Sequence, residues 1–452
     1  MGEVKDIPKN WKVKKLGEVC DVLDNLRKPI NSTERQQRIA GKSQSELFPY
    51  YGATGQVGWI DSFITDGEYI LIGEDGAPFL DIYKDKAYKV KGKTWVNNHA
   101  HILKGKTEII LDDFALYYLN SIKYREFVNG TTRLKLTKSN LVDIPFVIPP
   151  LPEQQAIVAK IEELLSDLEN GKQQLQTAQQ QLKVYRQSLM KWAFEGKLTN
   201  NNVKEGELPK GWKWVSINEI GKVKGGKRLP PKHQYSEEET EYVYIMAGNL
   251  KEGTVKNKPK YIKEETYKAL LNYKVTGGEV YITIVGACIG DAGIVPENIG
   301  KSILTENAAK IVELKDVHNK YLSRWINSLN CQLQIKRKIL SATLGKLALT
   351  RIGTLEIPLP SIKEQQHIID ELESKLTVCD KIEETISHSL QQAETLRQSI
   401  LKKAFEGKLV TQNPNDEPAS KLLERIKAES PKNEVEKKKS RRDVIIIGGG
   451  EE

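Results

Sequence analysis

Ala193-Phe194-Glu195-Gly196-Lys197-Leu198 recurs letter for letter as Ala404-Phe405-Glu406-Gly407-Lys408-Leu409. An identity of this length at an offset of 211 residues points to an internal repeat. Working backwards from each copy, Arg186-Gln187-Ser188 matches Arg397-Gln398-Ser399, and Glu153-Gln154-Gln155 matches Glu364-Gln365-Gln366, all at the same offset. Aligned without gaps, 153–198 and 364–409 share 18 of 46 residues, so the chain contains a duplication.

Further out, the match thins to an outline. Ile7-Pro8-Lys9-Asn10-Trp11-Lys12 and Leu208-Pro209-Lys210-Gly211-Trp212-Lys213 each open a stretch of about 140 residues that leads into the matched segment. Within these stretches 67–73 resembles 278–284, and Asn98-His99-Ala100-His101-Ile102 parallels Asn307-Ala308-Ala309-Lys310-Ile311. Leu134-Lys135-Leu136-Thr137 parallels Leu347-Ala348-Leu349-Thr350, which sets Arg133 opposite Lys346 as a matched basic pair. Landmarks in order with different residues between them are what one scaffold carrying two different surfaces would leave. Short β-branched and aromatic runs broken by glycine, such as 69–72 and 280–285, predict strands. Helical pieces are expected over 112–128 and 319–340, so both stretches read as mixed α and β.

The matched segments keep a heptad. Ile161, Leu168, Leu175, Leu182 and Leu189 fall on one position, and Ile157, Leu164, Gly171, Ala178, Tyr185 and Trp192 on the other. The second copy follows with Leu372, Cys379, Ile386, Ala393 and Ile400 beside Ile368, Ile382 and Leu396, interrupted by Lys375 and Ser389. A helix of 40 residues is about 60 Å long at ~1.5 Å per residue, and a leucine stripe of that length needs cover. Two similar helices in one chain cover each other most simply. Packing each on its own domain, or on a second copy of the chain, are the alternatives. The fold class expected is α+β: two mixed α/β domains joined by two long helices in an antiparallel coiled coil, with a pseudo-two-fold internal repeat. The boundaries read as 1–150, 151–198, 199–361, 362–410 and 411–452.

Composition narrows the function. The chain has 452 residues, a net charge of +9 and 29% charged residues, which favours an anionic partner, nucleic acid before a membrane surface. No stretch has the roughly 18 apolar residues of a membrane span. Met1 to Lys15 has no apolar core of a signal peptide. The four cysteines are far apart, which fits a reducing cytoplasm. Gly92-Lys93-Thr94 and Gly105-Lys106-Thr107 end like phosphate loops, but Ala87 and Ala100 stand where the earlier glycine is required. His99 and His101 would share a face of a strand, yet no carboxylate stands beside them in sequence, so no metal is expected. No catalytic set and no cofactor motif is visible.

These blocks together resemble the specificity subunit of type I restriction–modification systems, over about 1–428. The Leu151-Pro152-Glu153-Gln154-Gln155 and Ala193 to Leu198 motifs are specific when they occur twice. Tyr50 to Gly55, Gly73 to Ala77, Val96 to Ala100 and Ala247 to Leu250 look like blocks of target-recognition domains, and Asp416 to Ser420 with Leu422 to Ile426 resembles the closing helix. The resemblance implies that each domain reads one half of a split double-stranded DNA target. It also implies that the helices set the gap and dock two methyltransferase subunits, and that motor-nuclease subunits join that core. The methyl donor and ATP then belong to the partners, and the chain itself has no catalytic residues and no cofactors. The DNA-binding candidates are Tyr51, Thr54, Glu74, Asp75, Asn97, Asn98, His99 and Arg133 in the first domain, with Lys227, Arg228, Asn249, Thr305, Asn307 and Lys346 in the second. The candidates for the coiled-coil and partner seam are Ile161, Leu168, Leu175, Leu182, Leu189, Leu372, Ile386 and Ile400. A standalone DNA-acting enzyme and a coiled-coil adaptor without DNA readout are the competing readings. The resemblance stops before the basic run Lys437 to Arg442 and the tail VIIIGGGEE.

Overall fold

The computed structural model describes residues 7–200, 202–204, 206–256, 259–340 and 345–428; the basic run and the terminal tail lie outside them. The chain divides into two compact units, 1–175 with 388–452, and 176–387. Each unit holds one mixed α/β domain and half of each of two 44-residue helices, Leu151–Phe194 and Ile362–Phe405.

The first unit is built on a six-stranded sheet in the order Cys20–Val22, Ala100–Gly105, Thr65–Gly73, Ala87–Val96, Phe48–Gly52, Gly55–Ile60. All pairs are antiparallel except Phe48–Gly52 against Ala87–Val96. The second unit has a four-stranded sheet ordered Lys222–Gly225, Ala308–Val312, Val280–Thr283, Ala292–Ile294. Beside it lies a five-stranded sheet of short strands ordered Tyr235–Ser236, Lys260–Ile262, Tyr242–Ile245, Lys301–Leu304, Lys274–Val275.

Two predicted helices are shorter than the periodicity suggests. The first stops at Ser121, whose hydroxyl donates to the Tyr118 carbonyl, and Ile122 is extended. The second is broken into Asn319–Ile326 and Leu329–Leu340. Asn327 caps the first piece while its amide exchanges hydrogen bonds with the backbone of Ala292, and Ser328 accepts from Cys331 N–H. Asn and Ser offer the backbone partners that compete with helix, and apolar period alone does not register that.

Several of the repeated motifs are scaffold parts that do the same thing in both units. A two-stranded ribbon, Lys12–Lys15 with Pro145–Ile148, recurs as Lys213–Ser216 with Glu356–Leu359. Gln154, fully buried, donates from Nε2 to the carbonyls of Ile109 (2.9 Å) and Pro149 (3.0 Å), and its Oε1 accepts from Leu111 N–H at 3.0 Å. Gln365 repeats this with Asp316, Pro360 and His318 at 2.9, 3.0 and 2.8 Å. A side-chain amide is the one group that both donates and accepts in this geometry, which explains Gln in both copies. Phe405 packs edge-on to Tyr118 at 5.2 Å, and Phe194 packs edge-on to Tyr321 at 5.1 Å. The glycine after each phenylalanine is left-handed, with φ near 70–75°. A Cβ on Gly407 would meet Pro8 Cγ at 2.3 Å, and one on Gly196 would meet Pro209 Cγ at 2.3 Å. The six-residue identity is therefore the lock between a helix end and the Pro-x-x-Trp turn of a domain.

Within each unit the two helix halves run antiparallel. In the first, Ile157 and Ile161 share a core with Ile400, Leu401, Ala404 and Phe405, and Lys172 Nζ reaches Glu394 at 2.7 Å. In the second, Leu189, Ala193 and Phe194 share a core with Ile368, Ile369 and Leu372, and Arg186 bridges Asp380 (2.7 Å) and Glu383 (2.9 Å). Of the predicted seam, Ile161, Leu182, Leu189, Leu372, Ile386 and Ile400 are buried, while Leu168 and Leu175 are only half-buried. The second heptad position fails at several sites: Tyr185, Trp192, Ile382 and Leu396 are 42, 38, 44 and 51% exposed. A straight helix drifts by ~20° per heptad against a 3.5-residue repeat, so one stripe leaves the seam when no supercoil corrects it.

Candidate nucleic-acid interface

In the first unit the end of strand Thr65–Gly73 runs into Glu74-Asp75, and the turn Asn97-Asn98-His99 leads into strand Ala100–Gly105. Asn97 forms that turn by accepting His99 N–H on its own Oδ1 at 2.8 Å, the local bond that Asn is suited to make. A third segment, 129–135, comes alongside through bridges from Lys135 to Asp75 and to Asn129.

A charged network ties the three together. Arg27 bridges Glu74 and Asp24, the latter at 3.1 Å, and also donates to the carbonyls of Ala100 (3.1 Å) and Asn98 (3.3 Å). Lys135 reaches Glu74 at 3.0 Å, and Asp75 accepts from Arg133 at 2.6 Å and meets His99 Nδ1 at 2.8 Å. His101 is fully buried, with Nδ1 2.7 Å from Asp24 and Nε2 2.8 Å from the Leu136 carbonyl. Burial alone would push the carboxyls of Asp24 and Glu74 up. The bonds and charges of His101 and Arg27 at Asp24, and of Arg27 and Lys135 at Glu74, more than offset it and hold both below the usual range.

The sequence showed no carboxylate beside His99 and His101, but the tertiary structure supplies one to each. The two rings also do not share a strand face, because the strand begins at Ala100 and His99 stays in the turn. Among the described residues no cluster of three or more ligating side chains could hold a metal ion.

In the second unit the turn Thr305-Glu306-Asn307 leads into strand Ala308–Val312. Arg228, 81% exposed, donates from Nε to Glu306 at 2.7 Å. Tyr244 donates to the Lys227 carbonyl at 2.7 Å, and burial pushes its hydroxyl up to about 12. Burial opposes ionisation of Glu306, and the hydrogen bonds of Arg228 and Thr305 override it and keep the carboxyl low. Arg228, Tyr235, Tyr244, Met246 and Glu306 line a hollow of about 480 Å³.

The candidates from sequence separate by exposure. Thr54, Asn98, Arg133, Lys227, Arg228 and Lys346 are exposed, and Tyr51, Glu74, Asp75, His99 and Asn307 are half-buried. Asn97, Asn249 and Thr305 are buried and bonded locally, Asn249 to Met246 N–H at 3.0 Å and the Lys256 carbonyl at 3.3 Å, Thr305 to Glu306 at 3.1 Å. Asp24, Arg27 and Lys135 were not among the candidates. Asp24 and His101 are 77 positions apart, and nothing local in either stretch announces the pair.

The matched basic pair needs a new register. Leu136 N–H bonds to the Glu74 carbonyl at 2.7 Å, and Leu347 N–H bonds to the Ile284 carbonyl at 3.0 Å. Thr137 then caps helix Lys138–Val142 with its hydroxyl, and Ala348 occupies the same position, without a side-chain bond, before helix Leu349–Gly353. Leu136 therefore corresponds to Leu347, and Lys346 faces Lys135, not Arg133. The Leu-x-Leu-Thr likeness is two residues out of step because the backbone bonds, not the letters, fix the position.

With two domains of this kind on one repeated scaffold, the chain belongs to the type I restriction modification DNA specificity family, whose domain model matches residues 8–177 and 209–392. Among curated relatives, the type I restriction enzyme EcoBI specificity subunit of Escherichia coli is 30% identical over 341 residues, 69% of each chain. A type I restriction enzyme specificity subunit of Haemophilus influenzae, named as putative, is 28% identical over 395 residues, 84% of this chain and 91% of the relative. The crystal structure of the HsdS subunit from Thermoanaerobacter tengcongensis has the same fold at a TM-score of 0.58 and 17% identity, covering 90% of this chain and all of that one. Among the described residues no helix is long and apolar enough to cross a membrane.

Proposed function

We propose that each domain reads one half of a split double-stranded DNA target, and that the chain performs no chemistry itself. The observation that carries this is the contrast between an identical scaffold and different loops. The glutamine clamps, phenylalanine locks and ribbons recur in both units. The loops beside them offer Asp75, Asn98, His99 and Arg133 in one and Lys227, Arg228, Glu306 and Asn307 in the other. Cations, amides and carboxylates at loop tips are the groups that meet phosphates and base edges. Buried Asn97, Asn249 and Thr305 hold those loops in shape. The methyl donor and ATP are bound by partners. Two methyltransferase subunits dock along the helices, where Val184, Tyr185, Trp192, Val378 and Ile382 stand exposed, and motor-nuclease subunits join that core. The assembly works in the cytoplasm.

The test is an exchange of residues 12–145 for the corresponding domain of another family member, followed by methylation mapping of the host genome. One half of the modified site should change and the other stay. A change in both halves contradicts independent reading. Methyl transfer or cleavage by the purified chain alone overturns the non-catalytic role.

A further inference from the structure

We propose that Lys135 and Lys346 are equivalent phosphate anchors, one in each domain, that hold DNA without reading its sequence. The inference rests on the DNA-reading function above and adds which side chains bind the part common to every target.

Four observations place the two lysines together. Each precedes a fully buried leucine, Leu136 or Leu347, whose N–H bonds to the carbonyl of the residue just after a central strand, Glu74 or Ile284. Each lies two positions before the cap of a short helix whose buried residue, Leu141 or Ile352, faces the same core. The lysine, leucine, cap and helix pairs share the offset of 211 of the long helices, so no insertion separates those helices from the lysine; Glu74 and Ile284 stand at 210. Both side chains are exposed.

An internal salt bridge does not account for the shared cation. Lys135 pairs with Glu74 at 3.0 Å. The backbone position of Glu74 is held in the second unit by Ile284, since Glu74 N–H bonds to the His99 carbonyl as Ile284 N–H bonds to the Asn307 carbonyl. Lys346 has no ion pair among the described residues, yet the cation is there. A charge retained where its carboxylate is replaced by isoleucine answers to something outside the chain. The neighbouring side chains differ between domains, Asp75 and Arg133 beside Lys135, Arg228 and Glu306 on the loops of the second unit. What two different half-targets share is the phosphate backbone.

The experiment uses the full chain assembled with its methyltransferase subunits, and measures affinity for target and scrambled duplexes across a salt series. Lys135→Gln and Lys346→Gln should each weaken both duplexes by the same factor, roughly five-fold at 0.15 M salt, and reduce the log–log salt slope by about 0.9. Lys135→Arg and Lys346→Arg should restore both, which a packing role would not do. Because Lys135→Gln also frees one side of Glu74, the Lys135→Gln/Glu74→Gln pair is measured beside it and should keep the reduced slope. An unchanged slope in either single variant, or a loss confined to the target duplex, overturns the anchor. A wild-type assembly that fails to distinguish target from scrambled DNA would instead sink the parent reading, and the salt slopes would still report on the lysines.

Discussion

At the residue scale, the two sites of greatest consequence for stability are buried polar groups. Arg27, Glu74 and Asp24 have side chains only 16, 13 and 8% exposed. Removing one member of such a network leaves charge unpaired, at a cost of roughly 3–5 kcal/mol. Arg27→Met should therefore lower the urea midpoint of the first domain and leave the second unchanged; equal midpoints would show that the network is not holding the loops. The same groups set an acid limit. Asp24 and Glu74 are held below their ordinary values, so their contribution is present above the unfolded carboxylate range, near pH 4, and is lost as pH falls below it. Unfolding followed from pH 6 to pH 3 should show this loss in the wild type and a shallower one in Arg27→Met. Gln154→Leu and Gln365→Leu each strand three backbone groups, at about 1–3 kcal/mol for every one left buried. Each variant should destabilise its own unit, read by hydrogen exchange, and a protection map unchanged in that unit would remove the clamp from the account.

At the element scale, the long helices have two faces with different work. Leu189 is 1% exposed in the second core, while Tyr185 and Trp192 stand outside it and meet edge-on at 6.3 Å. Leu189→Ala should cost about 2–5 kcal/mol. Tyr185→Ala with Trp192→Ala should leave the melting of the chain nearly unchanged and weaken its assembly with methyltransferase subunits, measured by sedimentation. Full assembly by that double variant would move the docking surface elsewhere. The heptad did identify the helices and two candidate apolar columns. It did not identify which column would be covered, because a 3.5-residue pattern in sequence becomes a seam only where the helices supercoil or where small residues permit approach. Lys375 and Ser389 interrupt that condition.

For the whole molecule, the units do not follow chain order. The core of the first domain contains Ile400, Leu401, Ala404, Phe405 and Ala419, from the far end of the chain. A chain ending at Ser387 should lose cooperative unfolding of the first unit while the contiguous second unit, 176–387, keeps it. Native-like protection of residues 100–119 in the shortened chain would contradict that core.

The sequence by itself determined the duplication, the two long helices, the mixed α/β class and the family. The duplication and the long helices are carried by residues that recur at one fixed offset, and repetition is visible without coordinates. It also named Arg133, Arg228 and Lys346 as DNA-binding candidates, and the structure leaves all three exposed. Tertiary structure alone decided what the motifs are for. Gln154 and Gln365 became clamps only when Ile109 and Asp316 came within reach, and Asp24 became the partner of His101 across 77 residues. The equivalence of Lys135 with Lys346 rests on two backbone hydrogen bonds, to Glu74 and to Ile284, from stretches far away in sequence. Letters near a landmark can slide by two positions at no cost in likeness. A buried leucine whose N–H is held by one fixed backbone carbonyl cannot, since a slip of two residues would take it out of its place in the core and leave that bond unmade.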